Sequence, residues 1–379
     1  MEILKELIEL RKELHQYPEL SGKEFETRKR ILSFLENYSP DKLIPSLGMT
    51  GFAAIYKGQK TGNTVLFRCE LDALPIQEIN TFRHKSKNKS VSHKCGHDGH
   101  IAILCGLATE LHKNKLEQGT VILLFQPAEE DGSGAQSVFL DPNFKHLQPD
   151  YVFALHNLPS YKMHQIVVKN NTFTCAVHSI IIKLEGKTAH AGEPENGINP
   201  ALAIAEIIKE FNALIQSDLS QENYCLITPI YINMGSKAYG VSAGAGEIHF
   251  TVRSDSNAQM EIIEATLENV AKSIANKYDL NSKINWVQNF KANSNSDTAA
   301  EIIRKVAKKN HFEVVEKETP FTWGEDFGLF TQHYSGAMFG LGAGLNTAAL
   351  HNPDYDFPDE IIGTGVKMFY QISKELTNA

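Results

Sequence analysis

Three short apolar runs, each followed by residues able to do chemistry, constrain this chain more than any other feature: "NTVLFRCELD", "TVILLFQPAEE" and "DYVFALHN". Runs with so little polar character leave no face for water, so each reads as a strand covered on both sides. A helical stretch, "HIAILCGLATELHKN", lies between the first two. Strands alternating with helices predict an α/β domain, and in such sheets ligands bind beyond the carboxyl ends of the strands. Asp72 follows the first run, Glu129 and Glu130 the second, and His156 lies near the end of the third. His351 comes after a later apolar segment, "AMFGLG". All are therefore expected at one rim, with Cys95 and His97 on the loop "HKCGHDGHIA" that opens the helix.

A chain of 379 residues is long enough for two or three domains. From about residue 172 the pattern becomes strand, helix, two strands, helix, strand, the split βαβ order of a ferredoxin-like domain. Helix and strand signals in the earlier style resume afterwards. The expectation is a catalytic domain in two parts, 1–171 and 291–379, with a smaller domain, 172–290, inserted and able to hinge over the site.

Composition removes some functions. With 37 Lys and Arg against 45 Asp and Glu, and no basic block, nucleic acid is not expected as a partner. No apolar string approaches a membrane span, and the first helix is too charged for a signal peptide. Five widely spaced cysteines without a C-x-x-C pair suit a reducing cytoplasm.

Thiolate, imidazole and carboxylate together suit zinc first, with manganese, nickel or cobalt as alternatives. Taken singly, each Cys or His is more often structural. The adjacent Glu129 and Glu130 repel each other unless their tasks differ, one holding metal and the other acting as general base; the plainer alternative is a pair of solvated loop acids. His190, in "GKTAHAGEPENGINPA", is either an exposed loop residue or a donor to an oxyanion.

These motifs resemble the zinc aminoacylase/carboxypeptidase family, in the branch of hippurate hydrolases, N-acyl-amino-acid amidohydrolases and auxin-conjugate hydrolases. "RKELHQYPELSGKEFET", "FRCELDALPI", "CGHDGHIA", "FQPAEE", "ALHN", "GKTAHAG", "WGEDF" and "LHNPDYDF" occur in the family's order along nearly the whole chain. The resemblance implies a zinc-peptidase-like α/β catalytic domain, its mixed sheet flanked by helices, with an inserted ferredoxin-like lid that also forms a homodimer. It implies Cys95, His97, Glu130, His156 and His351 as ligands of two divalent metals, Glu129 as base, Asp72 as the carboxylate orienting a ligating His, and His190 as the oxyanion donor. Two departures stand out. Glu70 replaces the family's Asp near the rim, and Gly240-Val241-Ser242-Ala243 lacks a substrate-contacting Asn. Arg253 is read as pairing with a substrate carboxylate or, preferably, as structural.

The leading expectation is a cytoplasmic, metal-dependent amidohydrolase that deacylates N-acyl amino acids. A dipeptidase or carboxypeptidase acting on short peptides at the same metals is the second, and a non-catalytic metal- or ligand-binding homologue the third.

Overall fold

The computed structural model describes residues 2–221 and 223–377. The chain forms two compact units, one of Met1–Phe173, Asn293–Glu318 and Asp326–Ala379, the other of Thr174–Ala292 and Thr319–Glu325.

The first unit opens with helices α1 (Glu2–Gln16) and α2 (Phe25–Glu36) and continues with strands β1 (Lys42–Ile44), β2 (Phe52–Lys57) and β3 (Lys60–Glu70). Helix α3 (His97–Lys113) then leads to β4 (Gln118–Gln126) and β5 (Tyr151–Pro159). The eight-stranded sheet runs β1-β2-β4-β3-β5 and then Ser335–Gly344, Ile166–Val168 and Val314–Glu316. Its centre is parallel: β4, β3, β5 and Ser335–Gly344 run together, with Glu70 in register with Gln126. β1 and β2 are antiparallel, so the sheet is mixed.

The uninterrupted apolar runs have their physical reason in two-sided burial. Val65, Phe67 and Cys69 of β3 and Val121, Leu123 and Phe125 of β4 face the core shared with α1, α3 and the last helix, Ile362–Thr377. Leu66, Ile122 and Leu124, on the opposite face, are buried as well. Parallel alignment brings the carboxyl ends of β3, β4 and β5 to one edge, with β3 between the other two. That is where the order of connections reverses, the position at which sheets of this kind bind ligands.

In the second unit, Cys225–Met234, Ala245–Ser254, Ala176–Glu185 and Asn281–Phe290 form a sheet in that order, all antiparallel. Helices Ala201–Ala213 and Asn257–Lys277 cover one face, packing Ile207, Phe211, Met260 and Leu267 against Ile180, Ile182, Ile248 and Phe250. The longer helix starts where it does because Ser256 Oγ accepts the Gln259 N–H at 3.2 Å. The stretch Thr319–Glu325 joins this unit through its backbone: Cys175 N–H donates to the Phe321 carbonyl at 2.9 Å. No described helix is long and apolar enough to cross a membrane.

Candidate metal centre

The rim expected from the strand ends brings six side chains together. Cys95, His97 and His156 form one group, Cys95, Glu130 and His351 a second, and His97, Glu129 and Glu130 a third; within each, the ligand atoms lie within 4.8 Å of one another. Shared members make the three groups one cluster. Cys95 Sγ is 3.5 Å from His156 Nε2, and His97 Nε2 is 3.9 Å from Glu129 Oε2 and 3.8 Å from Glu130 Oε1. His351 Nε2, at the more open side, is 3.8 Å from Glu130 Oε2.

Local backbone explains the presentation. Gly96 precedes α3 with φ 99, and a Cβ there would lie 2.5 Å from Asn157 Oδ1, so only glycine lets the chain turn between Cys95 and His97. His351 is tied to the same loop, its N–H donating to the Lys94 carbonyl at 2.7 Å.

Hydrogen bonds select the ring tautomers. His97 Nδ1 lies 2.9 Å from the Asp72 carbonyl and 3.4 Å from its carboxylate, and His156 Nδ1 lies 2.9 Å from the Asn157 carbonyl. Each ring therefore keeps a proton on Nδ1 and turns Nε2 toward the cluster; at His97 burial is outweighed by Cys95 and Asp72, which hold its pKa well above the usual value, so a metal arriving there must displace the Nε2 proton. His97 Nε2 is buried and has no hydrogen-bond partner. Burial, then the nearby His100, pushes His156 down to about 3, and burial followed by His97 lowers His351, so both favour the neutral, ligating form. Burial and then the Glu130 carboxylate push the Cys95 thiol well up, so an incoming metal must displace its proton.

Asp72 belongs to the scaffold beneath. Its Oδ2 accepts from Ser21 Oγ at 2.7 Å and from the Glu130 N–H at 3.0 Å. Burial would raise its pKa, but His97 and these donors hold it below the usual carboxylate value. Glu70 forms a further such group with His97 and His100, its ligand atom within 4.8 Å of theirs. It is fully buried against Arg68 and lies 2.7 Å from His100 Nδ1, on the Arg68 face of β3. His100 Nε2 lies 2.6 Å from Asn157 Oδ1, and its ring packs edge-on against His156 with centroids 4.9 Å apart.

In the second unit His190 is exposed on a two-residue strand, Ala189–His190, paired with Val241–Ser242. Its Nδ1 accepts from Gly192 N–H at 3.1 Å, which leaves the proton on Nε2. Ser242, in the stretch lacking the family's Asn, accepts a hydrogen bond from Asn199 Nδ2 at 3.0 Å. Arg253 Nη1 donates to the Thr322 carbonyl at 2.6 Å. Ser21, Glu24 and Asn157 escaped the sequence reading, because their partners are remote in sequence and no spacing announces them.

Comparison with known proteins places the chain in a family. The chain is 31% identical over 378 residues to the N-acetyl-L-cysteine deacetylase of Bacillus subtilis strain 168, covering 99% of this chain and 89% of that protein. It is 29% identical over 360 residues to the N-acetyldiaminopimelate deacetylase of Bacillus pumilus, covering 94% and 93%. The crystal structure of Bacillus subtilis YXEP, a dinuclear metal binding peptidase of the M20 family, superposes with a TM-score of 0.84 at 27% identity, covering 100% and 99% of the two chains. The signature of Peptidase family M20/M25/M40 spans residues 66–375, and with the strand-end cluster in place the conclusion is direct: the chain is a hydrolase belonging to that family.

Proposed function

We propose that this protein removes the acyl group from N-acyl amino acids by hydrolysing the amide. The observation that carries the reading is His97 Nε2, buried without a partner and facing two adjacent carboxylates beside Cys95, His156 and His351. A buried ring nitrogen left unpaired costs roughly 1–3 kcal/mol, which coordination to a metal offsets. The donor set fits two divalent ions, zinc first, held by Cys95, His97, Glu130, His156 and His351. When bound, such ions polarise the acyl carbonyl and acidify a water toward neutrality.

Glu129 accepts the proton of the attacking water on its carboxylate and then passes it to the leaving nitrogen, so amide and water become acid and amine. Asp72 keeps His97 turned toward the cluster. His190 Nε2–H is the proposed donor to the oxyanion that forms on the carbonyl oxygen when water attacks the acyl carbon. The substrate class follows the two named relatives, both deacetylases of N-acetylated amino acids. A cytoplasmic setting is proposed from five free, buried cysteines.

The test is Glu129→Gln, assayed on N-acetyl and N-benzoyl amino acids and on unblocked dipeptides. Turnover should fall about 10²–10⁴-fold with bound metal unchanged. Normal rates would overturn the assignment of the base, and a wild-type preference for dipeptides would overturn the substrate.

The second unit is proposed as a lid and as the homodimer contact. Its edge strand Cys225–Met234 has, among the described residues, only a bridge from Cys225 to Gln216 on its outer side and exposes Ile230, Tyr231, Ile232 and Met234, an edge that a second copy would cover. Small-angle scattering reads both roles. The mass of two chains is expected, with a smaller radius of gyration once a tight competitive inhibitor binds; a one-chain mass or identical profiles overturns the corresponding half.

A further inference from the structure

The stretch Ser21-Gly22-Lys23-Glu24 has the spacing of a helix-capping box ahead of α2. The helix does not use it that way. The Thr27 N–H, in the first turn, is taken by the Glu19 carboxylate at 2.7 Å, while Ser21 Oγ donates to Asp72. Glu24 makes no cap bond to α2, yet it is fully buried. Its Oε1 accepts the N–H groups of Gly22 and Ala128, each at 2.9 Å, and its other oxygen accepts from the Thr50 hydroxyl. A buried carboxylate is costly to keep, so its partners indicate what it is for.

Ala128 is the informative partner. It sits immediately before the acid pair, is fully buried, and has φ 48, a left-handed conformation that a residue with a Cβ adopts only under constraint. Glu24 holds its N–H while the Gly134 N–H holds its carbonyl at 2.9 Å. Glu130, one residue further on from Glu129, is anchored separately by its own N–H to Asp72 Oδ2 at 3.0 Å. The two acids thus have different supports: Asp72 for Glu130, Glu24 for the turn that aims Glu129.

We propose that Glu24 is a positioning residue for Glu129, clamping the left-handed Ala128 so that the next carboxylate points at the reacting water. The inference rests on the reading of Glu129 as the base. Misplacing a reacting group by about 1 Å costs on the order of 10²-fold in rate.

The experiment measures kcat, KM and bound metal for Glu24→Ala and Glu24→Gln, each in the wild-type and the Glu129→Gln backgrounds. Glu24→Ala should lower kcat about 10- to 100-fold, with metal content and KM unchanged. Glu24→Gln should recover most of the rate, because its amide oxygen can accept both N–H groups and its amide can donate to Thr50. In the Glu129→Gln background Glu24→Ala should cost nothing more, since the group it aims is already disabled. Wild-type kcat in Glu24→Ala, an equal further loss in the Glu129→Gln background, or metal lost together with activity would overturn the inference. If Glu24→Ala does not fold, Glu24→Asp, which keeps the charge and withdraws it by one methylene, carries the same comparison. An inactive Glu129→Gln beside a normal Glu24→Ala defeats this inference alone, whereas an active Glu129→Gln defeats the underlying reading.

Discussion

His97 and Asp98 are consecutive residues at the start of α3, both buried, and their surroundings treat them in opposite ways. His97 turns Nε2 toward Glu129 and Glu130 and finds no hydrogen-bond partner. Asp98 turns to the other side, where Oδ2 lies 2.8 Å from His15 Nδ1 and 3.5 Å from Arg11 Nη1. That side is an ionic network, in which only Asp98 Oδ1 is left buried without a hydrogen-bond partner of its own. Arg11 also binds Asp356 and Asp359, each at 2.7 Å, and Glu78 joins His15 at 3.0 Å to Lys94 at 2.6 Å. Charges that answer one another hold the loop in place, whereas those left open face the cluster proposed to hold the metals. On the proposed reading, the same ten residues serve stability on one face and chemistry on the other.

The widest separation between the two faces should come from metal removal. Chelation of the wild type is expected to abolish turnover and lower thermal stability, with both restored when metal is returned, since a ligand at about 1,000 times its Kd adds about 4 kcal/mol. His97→Ala should lose that metal-dependent increment. Asp98→Ala should instead lose about 3–5 kcal/mol with or without metal, because it leaves Arg11 and His15 buried without their shared carboxylate. Calorimetry on both variants, with and without metal, decides. A metal-dependent gain in His97→Ala equal to that of the wild type would erase the distinction.

The open face was more legible in the sequence than the ionic one. Strand ends are local signals: an apolar run followed by Asp72 or by Glu129 and Glu130 announces a rim without knowledge of the rest of the chain. The parity of β3 also carried information that went unused. Arg68 and Glu70 are two residues apart and share a face, opposite Cys69, so Glu70 is accommodated against Arg68 and His100. The network behind α3 joins residues hundreds of positions apart, Arg11 with Asp359 among them, and no spacing rule spans that distance. One hint was local. Arg11 falls between Leu7, Leu10 and Leu14 on the buried stripe of α1, where a charge signals a buried partner. Ser21 and Glu24 are doubly hidden, because their partners Asp72 and Ala128 are remote and their own spacing imitates an ordinary helix cap.

A smaller effect sharpens the comparison through pH. Burial opposes a charge on His15, but hydrogen bonds from its ring to Asp98 and Glu78 push its pKa up to about 9 from the ordinary 6.5. The folded state therefore holds this proton more tightly than the unfolded chain. Its contribution to stability is complete below pH 6.5 and is lost as the pH rises through about 9. At 1.36 kcal/mol per pKa unit the difference is worth roughly 3 kcal/mol. Glu78 runs the other way: burial is outweighed by His15 and Lys94, its pKa falls to about 2, and its share is present above pH 4.5 and lost toward acid. Denaturant unfolding of wild type and His15→Gln should consequently show a wide stability gap at pH 6 that narrows toward pH 9.5, where the wild-type ring too is neutral. A gap of constant size across that interval would mean that His15 contributes by packing against Phe82 and His84 and not by its charge, and the ionic face would then owe less to ion pairing than its geometry implies.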